Sequence, residues 1–206
     1  MRVLIAGFGP FPGAPFNPTA LLTKALARRR RPALAGIEIE SHLFTTAYTE
    51  VDRDLRRLFV HKPDIVLIFG LAARGRHVSI ETRARNAVSL SLPDADGQHP
   101  HRATIGIGEP RSQAGNAPSA SLLNALRRSG VRAQLSHDAG RYLCNYAYWQ
   151  ALRRVQGNRP LVQFVHIPHV ATAARRGTFK RSGPSLARLT RACENLLIAL
   201  VAASRR

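Results

Sequence analysis

Cys144 follows a turn, Asp138-Ala139-Gly140, and sits just inside a helical apolar pattern that begins at Tyr142. That spacing places its thiol at the first turn of a helix. Backbone N–H groups and the positive helix end then converge on the sulfur, which favours a thiolate and supplies donors for an oxyanion. The same position also suits a small buried apolar residue, a common role of free cysteine. Cys193 lies in the middle of a second helical pattern, with no turn before it and nothing to activate it, and reads as structural.

A thiol nucleophile needs a histidine base, and the base needs a group to orient it. Of eight histidines, His166 ends the apolar run Leu161-Val162-Gln163-Phe164-Val165. The C-terminal end of a buried strand is where a catalytic side chain is presented to solvent, although a surface histidine also fits there. His169, beyond Pro168, is its rival; His42, His61, His77, His99, His101 and His137 fall in looser contexts. Among the few acids, Glu81 alternates into the structured run Val78-Ser79-Ile80-Glu81. Asp138 reads first as a turn residue, as do Asp94 and Asp96 in Pro93-Asp94-Ala95-Asp96-Gly97.

The elements that must position these groups alternate between strands and helices. Residues 2–7, 65–69 and 161–167 are continuous apolar runs of buried strands. Residues 37–44 alternate, with Ile37, Ile39, Ser41 and Leu43 on one face, and 78–88 form a further β-like segment. A short strand is expected at 133–135. Helices are expected from Pro18, capped by Asn17, with Leu21, Leu22, Ala25 and Leu26 as the apolar face. Others follow at 48–59, around 122–126 opened by Ser119 or Ser121, at 142–155, and at 184–203. This order predicts an α/β fold, a three-layer α/β/α domain spanning 1–206 with a largely parallel, mixed and twisted central sheet. The loops 8–16 and 70–77 and the segment around His166 follow strands, and the C-terminal edge of such a sheet is where sites assemble.

Composition narrows the class. A hydrophobic fraction of 45% argues for a folded core, and no run is long enough to span a membrane. Two cysteines are too few for a disulfide framework, and no Cys/His spacing suits zinc, so no metal is expected. The first residues do not read as a secretion signal, which makes the cytoplasm the expected compartment. The net charge is +19, and 16 of the 31 basic residues follow Glu109, against two acids there. Such a field attracts polyanions. The arginines nevertheless occur as short groups on polar helix faces without interleaved aromatics, so nucleic acid is not the expected partner.

Four segments, Gly7-Phe8-Gly9-Pro10-Phe11 with Asn17-Pro18-Thr19, Gly70-Leu71-Ala72 with Ile80-Glu81, Asp138-Ala139-Gly140-Arg141-Tyr142-Leu143-Cys144-Asn145-Tyr146, and Phe164-Val165-His166-Ile167-Pro168, stand in an order and spacing that resembles the pyroglutamyl peptidase I family of cysteine peptidases. The resemblance covers nearly the whole chain. It implies hydrolysis of the amide after an N-terminal pyroglutamyl residue, with Cys144 as nucleophile, His166 as general base and Glu81 as its orienting carboxylate. It implies no cofactor, an α/β/α fold and a homo-oligomer, dimer or tetramer. It places Phe8 and Phe11 about the flat lactam, with Asn17 and Leu71 also at the substrate. Where the family carries arginine, this chain has Thr82 after Glu81 and Ser91 before Pro93-Asp94. Arg83 would share the face of Glu81 if the strand continued. Two alternatives follow: a related thiol amidase with altered acyl specificity, or an impaired member that binds polyanions through its basic surface.

Overall fold

The computed structural model describes residues 1–11, 14–171 and 183–206. Strands β1 (Arg2–Phe8), β2 (Glu38–Phe44), β3 (Ile65–Leu71), β4 (Val78–Glu81), β7 (Ala133–Ser136) and β8 (Leu161–Ile167) form one sheet in the order β2-β1-β3-β8-β4-β7. The first four in that order run parallel; β4 pairs antiparallel to β8, and β7 runs parallel to β4. The sheet is therefore mixed and mostly parallel. Two three-residue strands, β5 (Arg83–Arg85) and β6 (Ser112–Ala114), pair separately.

Strand alternation divides the core in two. Val3, Ile5, Ile65, Leu67, Phe69, Val165 and Ile167 face helices α1 (Pro18–Ala27), α3 (Ser119–Arg128) and α5 (Leu186–Ser204). Leu4, Ala6, Val66, Ile68, Val162 and Phe164 face α2 (Tyr48–Val60) and α4 (Leu143–Leu152). Both faces of β1, β3 and β8 are covered, which explains why their sequences are apolar throughout.

Two local expectations change. Leu21 is 43% exposed, and α1 instead buries Thr19, Leu22, Thr23 and Leu26. The helix is turned onto Gly7, where a Cβ would stand 2.7 Å from the Thr23 hydroxyl, and Thr19 Oγ1 bonds the backbone of Phe8. Helix α3 does open at Ser119, with Pro118 at the cap position and no side-chain cap bond. The segment 78–88 is not one strand. At Thr82 the backbone leaves β4, its N–H bonding Ser136 and its carbonyl accepting from Gly115 N, and the chain passes into the small sheet. Arg83 consequently lies on β5, exposed, and not beside Glu81 on β4.

Candidate active site

The turn before α4 is built by Asp138, whose Oδ1 accepts from Gly140 N at 3.0 Å, and by Gly140 at φ +84°, a conformation glycine adopts without strain. Helix α4 starts at Leu143, its cap residue Tyr142 extended and making no side-chain cap. The first N–H groups of the helix thus have no partner within it, and they surround Cys144, the second helical residue. Cys144 is partly buried. Its sulfur lies over Gly70, where a Cβ would stand 2.9 Å from Sγ and 2.7 Å from the Phe164 ring. Only glycine leaves both in place.

His166 lies at the penultimate position of β8, paired with Gly70 on β3 and Ser79 on β4. Glu81, two residues beyond Ser79, shares the face of His166 and reaches it diagonally. The His166 Nδ1–Glu81 Oε1 distance is 2.8 Å, and His166 also hydrogen-bonds Cys144. Burial opposes charging of the imidazole, but the bonds and negative charge of Cys144 and Glu81 outweigh it, raising the His166 pKa from 6.5 to about 10. The site therefore favours an imidazolium facing Cys144. Glu81 is 1% exposed, and its carbonyl accepts from Gln163 Nε2 and the Tyr148 hydroxyl, which anchor the end of β4.

Several of the alternative residues are engaged elsewhere. Asp138 serves the turn and pairs with Arg85 at 3.2 Å, and Asp94 accepts from the N–H groups of Tyr48, Asp96 and Gln98. His42 pairs with Asp54, His61 with Glu40, and His137 with Thr82. Cys193 is fully buried in α5, where burial pushes its thiol pKa up and keeps it neutral.

The loop after β1 is tied back by Gly9 N to Phe44 O and by Asn17 Nδ2 to Gly9 O at 3.1 Å. Asn17 Oδ1 accepts from Thr19 N and the Thr19 hydroxyl, so its polar atoms are occupied in shaping this loop. Phe11 is partly buried, its ring centroid 6.4 Å from that of Tyr142 at the head of α4. Phe8 is 2% exposed and rests on Phe44. Leu71, 8% exposed, follows Gly70 at the end of β3. The N-terminal loop, the end of β3 and the start of α4 thus meet above one sheet edge.

Other residues at this place carry little sequence signal. Asn145 is fully buried, accepting from Arg85 N at 2.8 Å and donating to the carbonyls of Arg85 and Ala87. It stitches the chain after Glu81 to α4, and its signal is a polar residue inside an apolar helix. Tyr48 sits edge-on to both Tyr142 and Tyr146, and Tyr142 donates to Pro93 O. A cleft of ≈ 400 Å³ on the Tyr146 side of α4, lined by Tyr48, Asp94, His99, Arg102, Ile105 and others, does not include the Cys144 thiol in its wall. Among the described residues no group of three His, Cys, Asp or Glu side chains could hold a metal ion, and no helix is long and apolar enough to cross a membrane.

Comparison with known proteins gives one answer at three levels. A family model described as pyroglutamyl peptidase matches residues 1–206. The chain is 32% identical over 173 residues to a pyrrolidone-carboxylate peptidase of Thermococcus onnurineus, covering 82% of this chain and 84% of that one. It is 30% identical over 184 residues to that of Gloeobacter violaceus, covering 88% of each. The fold superposes on the pyrrolidone carboxyl peptidase of Thermococcus litoralis with a TM-score of 0.84 at 26% identity, covering 96% and 92% of the two chains. The A199P variant from Pyrococcus furiosus gives 0.85 at 26% identity, covering 97% and 98%.

Proposed function

Because this chain belongs to the pyroglutamyl peptidase family of cysteine hydrolases, we propose that Cys144, His166 and Glu81 are the triad with which it removes N-terminal pyroglutamate from peptides. The observation that carries the reading is the continuous relay at the sheet edge: Glu81 Oε1 to His166 Nδ1 at 2.8 Å, His166 to Cys144, and Cys144 at the open N-terminus of α4.

The Cys144 thiolate adds to the carbonyl carbon of the pyroglutamyl residue, and the oxyanion takes hydrogen bonds from N–H groups at the head of α4. His166, protonated at rest, gives its proton to the departing amine as the C–N bond breaks, leaving a thioester. Water then attacks the thioester with His166 accepting its proton, and pyroglutamic acid leaves as the C–S bond breaks and the thiolate–imidazolium pair is restored. Phe8, Phe11, Asn17 and Leu71 form the acyl pocket, Phe11 offering the more open ring and Asn17 holding the loop. A lactam brings two apolar faces with one N–H and one C=O, so such a pocket takes it readily. A charged α-amine would enter at a desolvation penalty with no carboxylate to meet it.

The enzyme works as one domain, in the cytoplasm, as a homo-oligomer. Exposed Leu90, Leu92 and Ile107, at 50%, 49% and 74%, are apolar surface that a second copy would cover.

The deciding experiment follows release of a fluorescent amine from a pyroglutamyl amide. Turnover is expected from the native chain, and C144A should lose it; full activity in C144A would remove the thiol from the mechanism. A second reading, a thiol amidase of altered acyl specificity, draws on Thr82, which bonds His137 and the Ser136 carbonyl, and on exposed Ser91, which bonds Ser89. Faster turnover of a non-lactam acyl amide would select it.

A further inference from the structure

Most arginines with carboxylate partners lie elsewhere: Arg2 with Glu38, Arg53 with Glu50 and Asp54, Arg85 with Asp138, Arg153 with Glu109. One cluster has none. Two adjoining hollows share Gly130, Val131 and Arg132; Arg76 and Arg188 line one, of ≈ 540 Å³, and Arg127 lines the other. No carboxylate lines either. Arg188 and Arg127 donate to the Gly130 and Ala133 carbonyls, while the Arg76 and Arg132 side chains make no hydrogen bond or ion pair with the described residues. Arg188 also lies in the first turn of α5, where a cation opposes the helix dipole, so its charge does not serve the helix.

The position of this cluster relates it to the chemistry. Pro168, in the wall of the hollow, is two residues beyond His166, roughly 7 Å of extended chain. Val78, also in the wall, precedes Ser79, the register partner of His166. Because β4 runs antiparallel to β8, its start lies at the same sheet edge as the catalytic histidine. Val78, Val131 and Leu189 belong to the α3/α5 side of the core, so the hollow opens on the sheet face opposite α4. A peptide held at Cys144 would reach the hollow by leading its remaining chain over this edge.

We propose that Arg76, Arg132 and Arg188 form an exosite for the carboxylates of an acidic peptide, which selects pyroglutamyl peptides bearing Asp or Glu a few residues after the scissile bond. This rests on the peptidase reading and adds a substrate class to it. Guanidinium groups free of carboxylates are suited to bidentate carboxylate recognition. Nucleic acid is the weaker occupant, because among the described residues no Phe, Tyr or Trp lines either hollow to stack a base.

The test compares kcat/KM for three hexapeptides that share a pyroglutamyl-Ala-Ala start and end in Glu-Glu-Glu, Gln-Gln-Gln or Lys-Lys-Lys, with a short pyroglutamyl amide as control. At low salt the acidic peptide should be preferred over the neutral one by about tenfold, as expected for a few exposed charge pairs. The preference should fade at ~0.5 M salt. It should vanish in the triple variant R76Q/R132Q/R188Q, which keeps turnover of the short amide and thereby reports its own folding. Equal rates for acidic and neutral peptides, or a preference that survives the triple variant, overturn the exosite. So does competition through these arginines by an oligonucleotide but not by an acidic peptide. Failure of the native chain on the short amide overturns the peptidase reading itself, and the exosite with it.

Discussion

At the residue scale the decisive feature is the charge state of His166. Its pKa is raised from 6.5 to about 10 against the opposing effect of burial, through Cys144 and Glu81. Stability from a raised pKa is fully present below the unfolded value, near 6.5, and is lost as pH rises through about 10. The melting-temperature advantage of the native chain over H166Q should therefore shrink steadily from neutral pH towards 10; a constant gap would show that the histidine is not held charged. On the proposed mechanism activity should show an alkaline limit of the same origin, since the departing amine would take the imidazolium proton. Replacing Glu81 with Gln removes one of the two supports. E81Q should lower kcat by about 10²–10⁴-fold and move the alkaline limb of kcat/KM to lower pH. An unchanged limb would mean that Glu81 only fills space. Cys144 and His166 carry a sequence signal because each stands at an element end, beside a turn or at a strand terminus, whereas Glu81 stands out only as one of the few acids, on a structured segment. Tyr142 and Asn145 were visible as letters of a motif, yet their aromatic and hydrogen-bond partners lie 49 or more positions away and appear only on folding.

At the element scale, the site depends on how closely β3, β8 and α4 approach. At Gly70 a methyl group would meet both the Phe164 ring and the Cys144 sulfur. G70A should cost roughly 1–3 kcal/mol of stability as an overpacked site. Its effect on kcat should be larger than on KM, because the displaced atom is the nucleophile. Denaturant unfolding and steady-state kinetics measure the two, and a variant with lowered stability but native kcat would contradict the placement of the thiol over Gly70. The strands that build this contact were readable because full burial on both faces writes itself as unbroken apolar sequence. The direction of β4 was not. Its four residues alternate alike whether they run parallel or antiparallel, and only pairing with β8 brings Glu81 diagonally to His166. The break at Thr82 escaped for a similar reason: the chain stays extended through it and changes only its hydrogen-bond partners.

At the scale of the whole molecule the excess of 31 basic over 12 acidic residues must act on the fold as well as on ligands. Several acids are already committed: Glu81 to His166, Asp54 to His42, and Asp138 and Asp94 to turns. Much of the remaining positive charge, including Arg76 and Arg132, faces solvent without a carboxylate. Repulsion among such charges destabilises the compact state, and added salt screens it, with a Debye length falling from about 30 Å at 0.01 M to about 8 Å at 0.15 M. The melting temperature should rise over that range, and R76Q/R132Q/R188Q should melt higher than the native chain at 0.01 M but not at 0.15 M. Surface ion pairs such as Arg2–Glu38 act in the opposite sense, since salt weakens them, but each contributes at most about 1 kcal/mol. A melting temperature that falls with salt would show that these pairs outweigh the repulsion. A rise confined to the native chain would place the dominant repulsion at the arginine hollow. The positions that favour an acidic peptide would then be the ones that strain the empty enzyme, and acidic peptide should raise its melting temperature most at low salt.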